Sequence, residues 1–90
     1  MKNLRKVTVI LFPSMDGGYV VYIPRFPECT TQGDSVAEAL ANAKESLELA
    51  LEVPTEDDLE RVELLSVDHV VVGEIEVEVP EPALTAVMTR

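Results

Sequence analysis

Residues 17–43, GGYVVYIPRFPECTTQGDSVAEALANA, constrain the fold more than any other stretch of this chain. Gly17 and Gly18 follow Asp16 and tolerate positive φ, so a reversal is expected there. The apolar, β-branched run at residues 19–23, YVVYI, then reads as a strand returning from that reversal. Pro24 and Pro27 cannot donate to a ladder and bracket an irregular link. Residues 28–32 are expected to form a third short strand, ended by a turn at Gly33 and Asp34. Ser35-Val36-Ala37-Glu38 matches a capping box, in which Ser35 accepts the N–H three residues on and Glu38 reaches back.

The flanking segments complete the outline. Residues 6–12, KVTVILF, are dense in β-branched residues and predict a strand buried on most of both faces, paired with residues 19–23 as a hairpin. Behind the capping box, Val36, Leu40, Ala43, Leu47, Ala50 and Leu51 recur at helical spacing, and Pro54 stops the helix near Val53. Residues 55–66 fit either a short helix begun at Thr55 or an acidic loop, and the helix is preferred. From His69 the pattern becomes β: Glu74, Glu76 and Glu78 alternate with Ile75, Val77 and Val79, giving one apolar and one carboxylate face. The glutamate row reads first as protection of a sheet edge against stray pairing. The expected class is α+β, ordered β-β-β-α-β, with one helix packed on one face of a small sheet. Residues 1–80 form the single domain and residues 81–90 a short tail.

Composition narrows the functions. Seven basic residues face 17 acidic ones, for a formal charge of −10. From Phe26 onward only Lys44, Arg61 and Arg90 are basic. Such a surface repels phosphate backbones, so direct nucleic-acid binding is not expected, whereas a basic protein partner suits it. The short apolar run after the basic N-terminus, broken by Thr8 and followed by no small-residue cleavage site, argues against a secretion signal. No window is long and uncharged enough to span a membrane.

Cys29 is the only cysteine and His69 the only histidine. Neither a disulfide nor a thiolate metal cage can form within the chain, which fits a reducing cytoplasm. Cys29 has no nearby base to activate it and reads as a small buried side chain. There is no phosphate-binding glycine loop and no zinc or calcium spacing, so no cofactor or metal is expected. Two-metal nuclease chemistry needs carboxylates clustered on adjacent strands. Residues 6–12 hold none, while Asp16, Asp34 and Glu38 sit in a turn and at a helix start, so no enzymatic activity is expected.

The set Gly17-Gly18-Tyr19, Pro24-x-x-Pro27-x-Cys29, Thr31-x-Gly33-Asp34 and Ala37-Glu38-Ala39, extended by Asn42 and Ala43, resembles the N-terminal domain of HicB-type antitoxins, over roughly the first fifty residues. The resemblance implies a partial RNase H-like fold of three antiparallel strands, a helix and a fourth strand. It implies a protein-binding role, occluding a small basic HicA-type toxin that cleaves messenger RNA. Arg25 and Glu28 stand where family members often carry Asp and Gly. Complete antitoxins of the family usually continue into an operator-binding helical domain. The ten residues from Glu81 hold no such unit, so a solitary or truncated member without DNA binding of its own is expected. Partner contacts are expected on Tyr22, Arg25, Phe26 and Glu28 at the link, although Tyr22 and Phe26 also fit a core. The alternative is a self-associating domain without a toxin, since small sheets with open edges complete their cores as homo-oligomers, dimers or tetramers.

Overall fold

The Asp16-Gly17-Gly18 reversal does what its composition demands. In a computed structural model, which describes residues 4–81, Gly17 and Gly18 take φ of 93° and 73°, and the Ser14 N–H donates to the Gly18 carbonyl at 2.9 Å. This turn joins β1 (Ile10–Pro13) to β2 (Tyr19–Tyr22) in register Ile10↔Tyr22 through Pro13↔Tyr19. β3 (Thr31–Gly33) pairs antiparallel with the other side of β2, so the sheet order is β1-β2-β3. Two helices follow, α1 (Val36–Ala50) and α2 (Glu56–Leu65). The class is α+β.

Several expected boundaries move. β1 starts at Ile10 rather than residue 6, because its next partners would be Ile23 and Pro24, where β2 turns away. Residues 27–29 form a 3-10 turn rather than the start of a strand. Pro27 suits the first position of a helical turn, the Cys29 N–H donates to the Phe26 carbonyl at 2.9 Å, and β3 begins only at Thr31. Gly33 is not a turn residue but a strand residue over which α1 passes. A Cβ there would lie 2.4 Å from the Ala39 nitrogen.

α1 starts at the expected cap, with Ser35 Oγ accepting the Glu38 N–H at 3.1 Å, but Glu38 reaches one residue further back than a capping box and accepts the Asp34 N–H at 3.1 Å. Its buried face is Ala39, Ala43 and Leu47, whereas Val36, Leu40 and Ala50, expected inside, are exposed. The shift follows from Gly33, since a small residue must face the strand where helix and sheet backbones meet. These three residues pack with Val21, Ile23, Phe26 and Cys29 in one core. Full burial of Val21, Ile23 and Phe26 contributes about 1.5–3 kcal/mol each.

Residues 55–66 resolve in favour of the helix. Thr55 and Asp58 form a reciprocal capping box, and Val62 and Leu65 pack partly against the core, so the domain carries two helices rather than one. The expected fourth strand is corrected. Among the described residues, 70–80 joins no ladder and is exposed throughout. Alternation assigns its two faces but supplies no partner backbone. Beyond Glu81 the expected tail lies outside the described residues. No helix of the described residues is long and apolar enough to cross a membrane.

Candidate protein-binding surface

Alternation along β1 and β2 divides the sheet into a covered and an open face. Leu11 pairs with Val21, both facing α1 and the core. Their neighbours therefore point the other way. Ile10 pairs with Tyr22 and Phe12 with Val20, giving four apolar side chains on the face opposite α1. Gln32, paired with Val20, borders them on β3. Phe12 is 54% and Tyr22 41% exposed. Large aromatics left uncovered on a rigid sheet are the residue type that anchors protein interfaces.

The link between β2 and β3 adjoins this face and is held by two arginine clasps. Arg25 donates to the Asp68 carboxylate through Nε, 3.0 Å from Oδ2, and through Nη2 to Oδ1. This bidentate pairing holds the Asp68 carboxyl below its ordinary range, outweighing the opposing effect of desolvation. Arg61, on α2, donates to Glu28 at 2.6 Å, to the Arg25 carbonyl at 3.0 Å and to Asp57 at 2.8 Å. Its guanidinium carbon also lies 4.9 Å from the centre of the Phe26 ring. Asp58 is likewise held low, first by the Thr55 N–H that it accepts and then by the Thr55 hydroxyl and the Arg61 charge. The clasps fasten α2 and residue 68 to the link.

The four residues expected to meet a partner thus separate. Tyr22 stands on the open face. Arg25 and Glu28 lie at the link with their charges engaged inside the molecule. Phe26 is 1% exposed, which corrects its placement at the surface: it fills the core beneath the link, where the bulkiest side chain of the segment removes most apolar area from water. Sequence reasoning missed Phe12 and Val20 as companions of Tyr22. The hairpin register, once counted outward from Gly17-Gly18, would have found them. It also missed Arg61, whose signal was a lone cation following Asp57 and Asp58 at helical spacing.

A second, polar groove lies where the β1–β2 turn meets the start of α1, and Asp16, Asp34 and Glu38 border it. Two of its polar side chains are engaged locally: Glu38 accepts the Asp34 N–H at the start of α1, and the Asn42 side-chain amide donates to the Gln32 carbonyl at 2.8 Å. Among the described residues no group of three or more His, Cys, Asp or Glu is placed to hold a metal ion. Cys29 is buried in the core, and His69 is exposed.

Comparison with known proteins places the chain in a family. The profile of a family described as HicB_like antitoxin of bacterial toxin-antitoxin system matches residues 7–79. The UPF0150 protein ssr1765 of Synechocystis is 38% identical over 64 residues, covering 62% of this chain and 81% of that protein. The UPF0150 protein Ta0767 of Thermoplasma acidophilum is 47% identical over 47 residues, covering 52% of this chain and 68% of that one. The antitoxin HicB of Escherichia coli K12 is 44% identical over 50 residues, 56% of this chain. The match spans only 36% of that antitoxin's length. No solved structure matches significantly. The profile covers most of the sequence, and the chain belongs to the HicB-like antitoxin family.

Proposed function

We propose that this domain is a non-enzymatic, cytoplasmic protein-binding module that occludes a small basic, mRNA-cleaving toxin of the HicA type. The observation that carries this reading is the open apolar face of Ile10, Phe12, Val20 and Tyr22 on a chain of net charge −10. An apolar centre supplies affinity, and a surrounding negative field accelerates encounter with a cationic protein and disfavours other partners. The same field disfavours operator DNA as a ligand of this domain. Tyr22 and Phe12 make the central contacts. Arg25 and Glu28, fixed by Asp68 and Arg61, shape the rim, and Phe26 supports it from beneath.

The test is cleavage of a messenger RNA by a purified HicA-type toxin from the same host, with increasing amounts of this chain. Cleavage should stop near a stoichiometric ratio, and the Phe12→Glu, Tyr22→Glu double variant, still folded by circular dichroism, should fail to stop it. Continued cleavage in excess wild-type chain would refute the reading. The alternative, a self-associating domain with no toxin, draws its support from residues 70–80.

A further inference from the structure

The open face does not end at Ile10 and Tyr22. Thr8 is exposed between Val7 and Val9, which pack toward the core, so it falls on the side of Ile10 and Phe12. Pro24 follows the fully buried Ile23 and falls on the side of Tyr22. Two positions further along each strand, about 6–7 Å, the face opens into a cleft lined by Thr8, Pro24, Arg25, Asp68 and Val70. Val70 begins the arm of residues 70–80. The cleft holds about 210 Å³, below the roughly 300–1,000 Å³ of a small-molecule site. It suits a single residue of a protein docked on the face.

Arg25 is the cationic wall of this cleft, and only one edge of its guanidinium is engaged. Nε and Nη2 donate to Asp68, whereas Nη1 has no hydrogen-bond partner among the described residues. The Asp68 side chain is 14% exposed and that of Arg25 41%, so the carboxylate is covered while the guanidinium stays open. Asp68 therefore does two things. Its bidentate grip fixes the Arg25 rotamer before any partner arrives, which lowers the ordering cost of a new hydrogen bond. Its charge also cancels, at close range, a cation that would otherwise repel a basic protein.

Resting on the reading of the open face as the toxin-binding surface, we propose that the Arg25–Asp68 clasp is its polar recognition element: Asp68 neutralises and aims Arg25, whose free edge donates to a neutral acceptor, a backbone carbonyl of the toxin, seated in the cleft. The charges select that chemistry. A carboxylate from the partner would meet Asp68 within a few ångströms, and a lysine or arginine would meet only the donors of Arg25. A carbonyl oxygen accepts from the guanidinium without either conflict.

Association and dissociation rates of a purified HicA-type toxin on the immobilised chain, at low and high salt, test this, with each variant first shown to be folded by circular dichroism. Arg25→Ala should speed dissociation about tenfold or more, and Arg25→Lys should do the same, because an ammonium cannot serve Asp68 and the partner on two edges. Asp68→Asn leaves the cation uncancelled and should slow association about threefold at low salt, the difference fading at high salt. The control is Glu45→Gln, which removes one negative charge from the exposed side of α1, away from the open face, and should associate nearly as wild type does. Arg25→Ala combined with Asp68→Asn should recover the association rate of that control while still dissociating fast. A double variant as slow to associate as Asp68→Asn would make the clasp merely structural and overturn the proposal. So would unchanged dissociation in Arg25→Ala. Toxin binding that needs Phe12 and Tyr22 but ignores Arg25 and Asp68 overturns this proposal alone, whereas a wild type that binds no toxin overturns the toxin-binding reading as well.

Discussion

Replacing Gly33 by Ala should unfold much of what holds this domain together. The added Cβ would stand 2.4 Å from the Ala39 nitrogen and 2.6 Å from the Ala39 Cα, backbone atoms that cannot rotate away. Relief requires α1 to lift from β3 by roughly 1 Å, which also loosens Ala39, Ala43 and Leu47 against Val21. Overpacking of this kind costs about 1–3 kcal/mol, and a backbone obstacle belongs at the upper end. A domain of this size has roughly 4–12 kcal/mol in total, and each kcal/mol moves Tm by about 4–8 °C, so a fall of about 12–24 °C is expected. Two other glycines serve as controls for the same chemical change. Gly17→Ala meets nothing within 4 Å but must hold φ of 93°, costing about 1–2 kcal/mol. Gly73→Ala meets nothing within 4 Å, lies in the unpaired arm and should leave Tm unchanged. Thermal melts by circular dichroism measure all three. A Gly33→Ala melt within a few degrees of Gly73→Ala would refute the close-approach account of Gly33.

Ser35→Ala removes the oxygen that accepts the Glu38 N–H and should cost about 1 kcal/mol in urea unfolding, with an unchanged m-value. Asp68 and Asp58 are held below their ordinary value of 3.8 in the folded state, so the stability they contribute is present above that pH. It is lost as pH falls through and below about 4, and Asp68→Asn should flatten that acid limb in urea midpoints taken against pH. Arg61→Lys keeps the charge but loses the fork that reaches Glu28, the Arg25 carbonyl and Asp57 together. Amide exchange should then accelerate in α2 while the sheet amides stay protected.

What the sequence revealed was local chemistry; what it hid was tertiary. The Gly17-Gly18 reversal and the Ser35 cap each depend on residues within a few positions of one another and stand where expected, whereas α1 stops at Ala50, three residues before the expected end near Val53. The 27–29 segment failed as a strand because Pro27 fits a helical turn as readily as it interrupts a ladder. The buried face of α1 was misjudged because hydrophobic spacing favours Leu40. Proximity to Gly33, visible only in the fold, selects Ala39. Of the candidate site, Tyr22 was legible, but its companion Phe12 depends on hairpin register. The clasps joining Arg25 to Asp68 and Arg61 to Glu28 span 43 and 33 positions and left no local trace. Residues 69–80 show the sharpest limit: strict alternation announces a strand and says nothing of whose sheet completes it.

Calorimetric titration of a purified HicA-type toxin into this chain, at low and moderate salt, tests the central claim most directly. A stoichiometric complex is predicted, tighter at low salt and weakened at least about tenfold by Phe12→Ala with Tyr22→Ala, as expected when central aromatic anchors are removed. Absence of heat at low salt, or an affinity indifferent to the open face of the sheet, would contradict it.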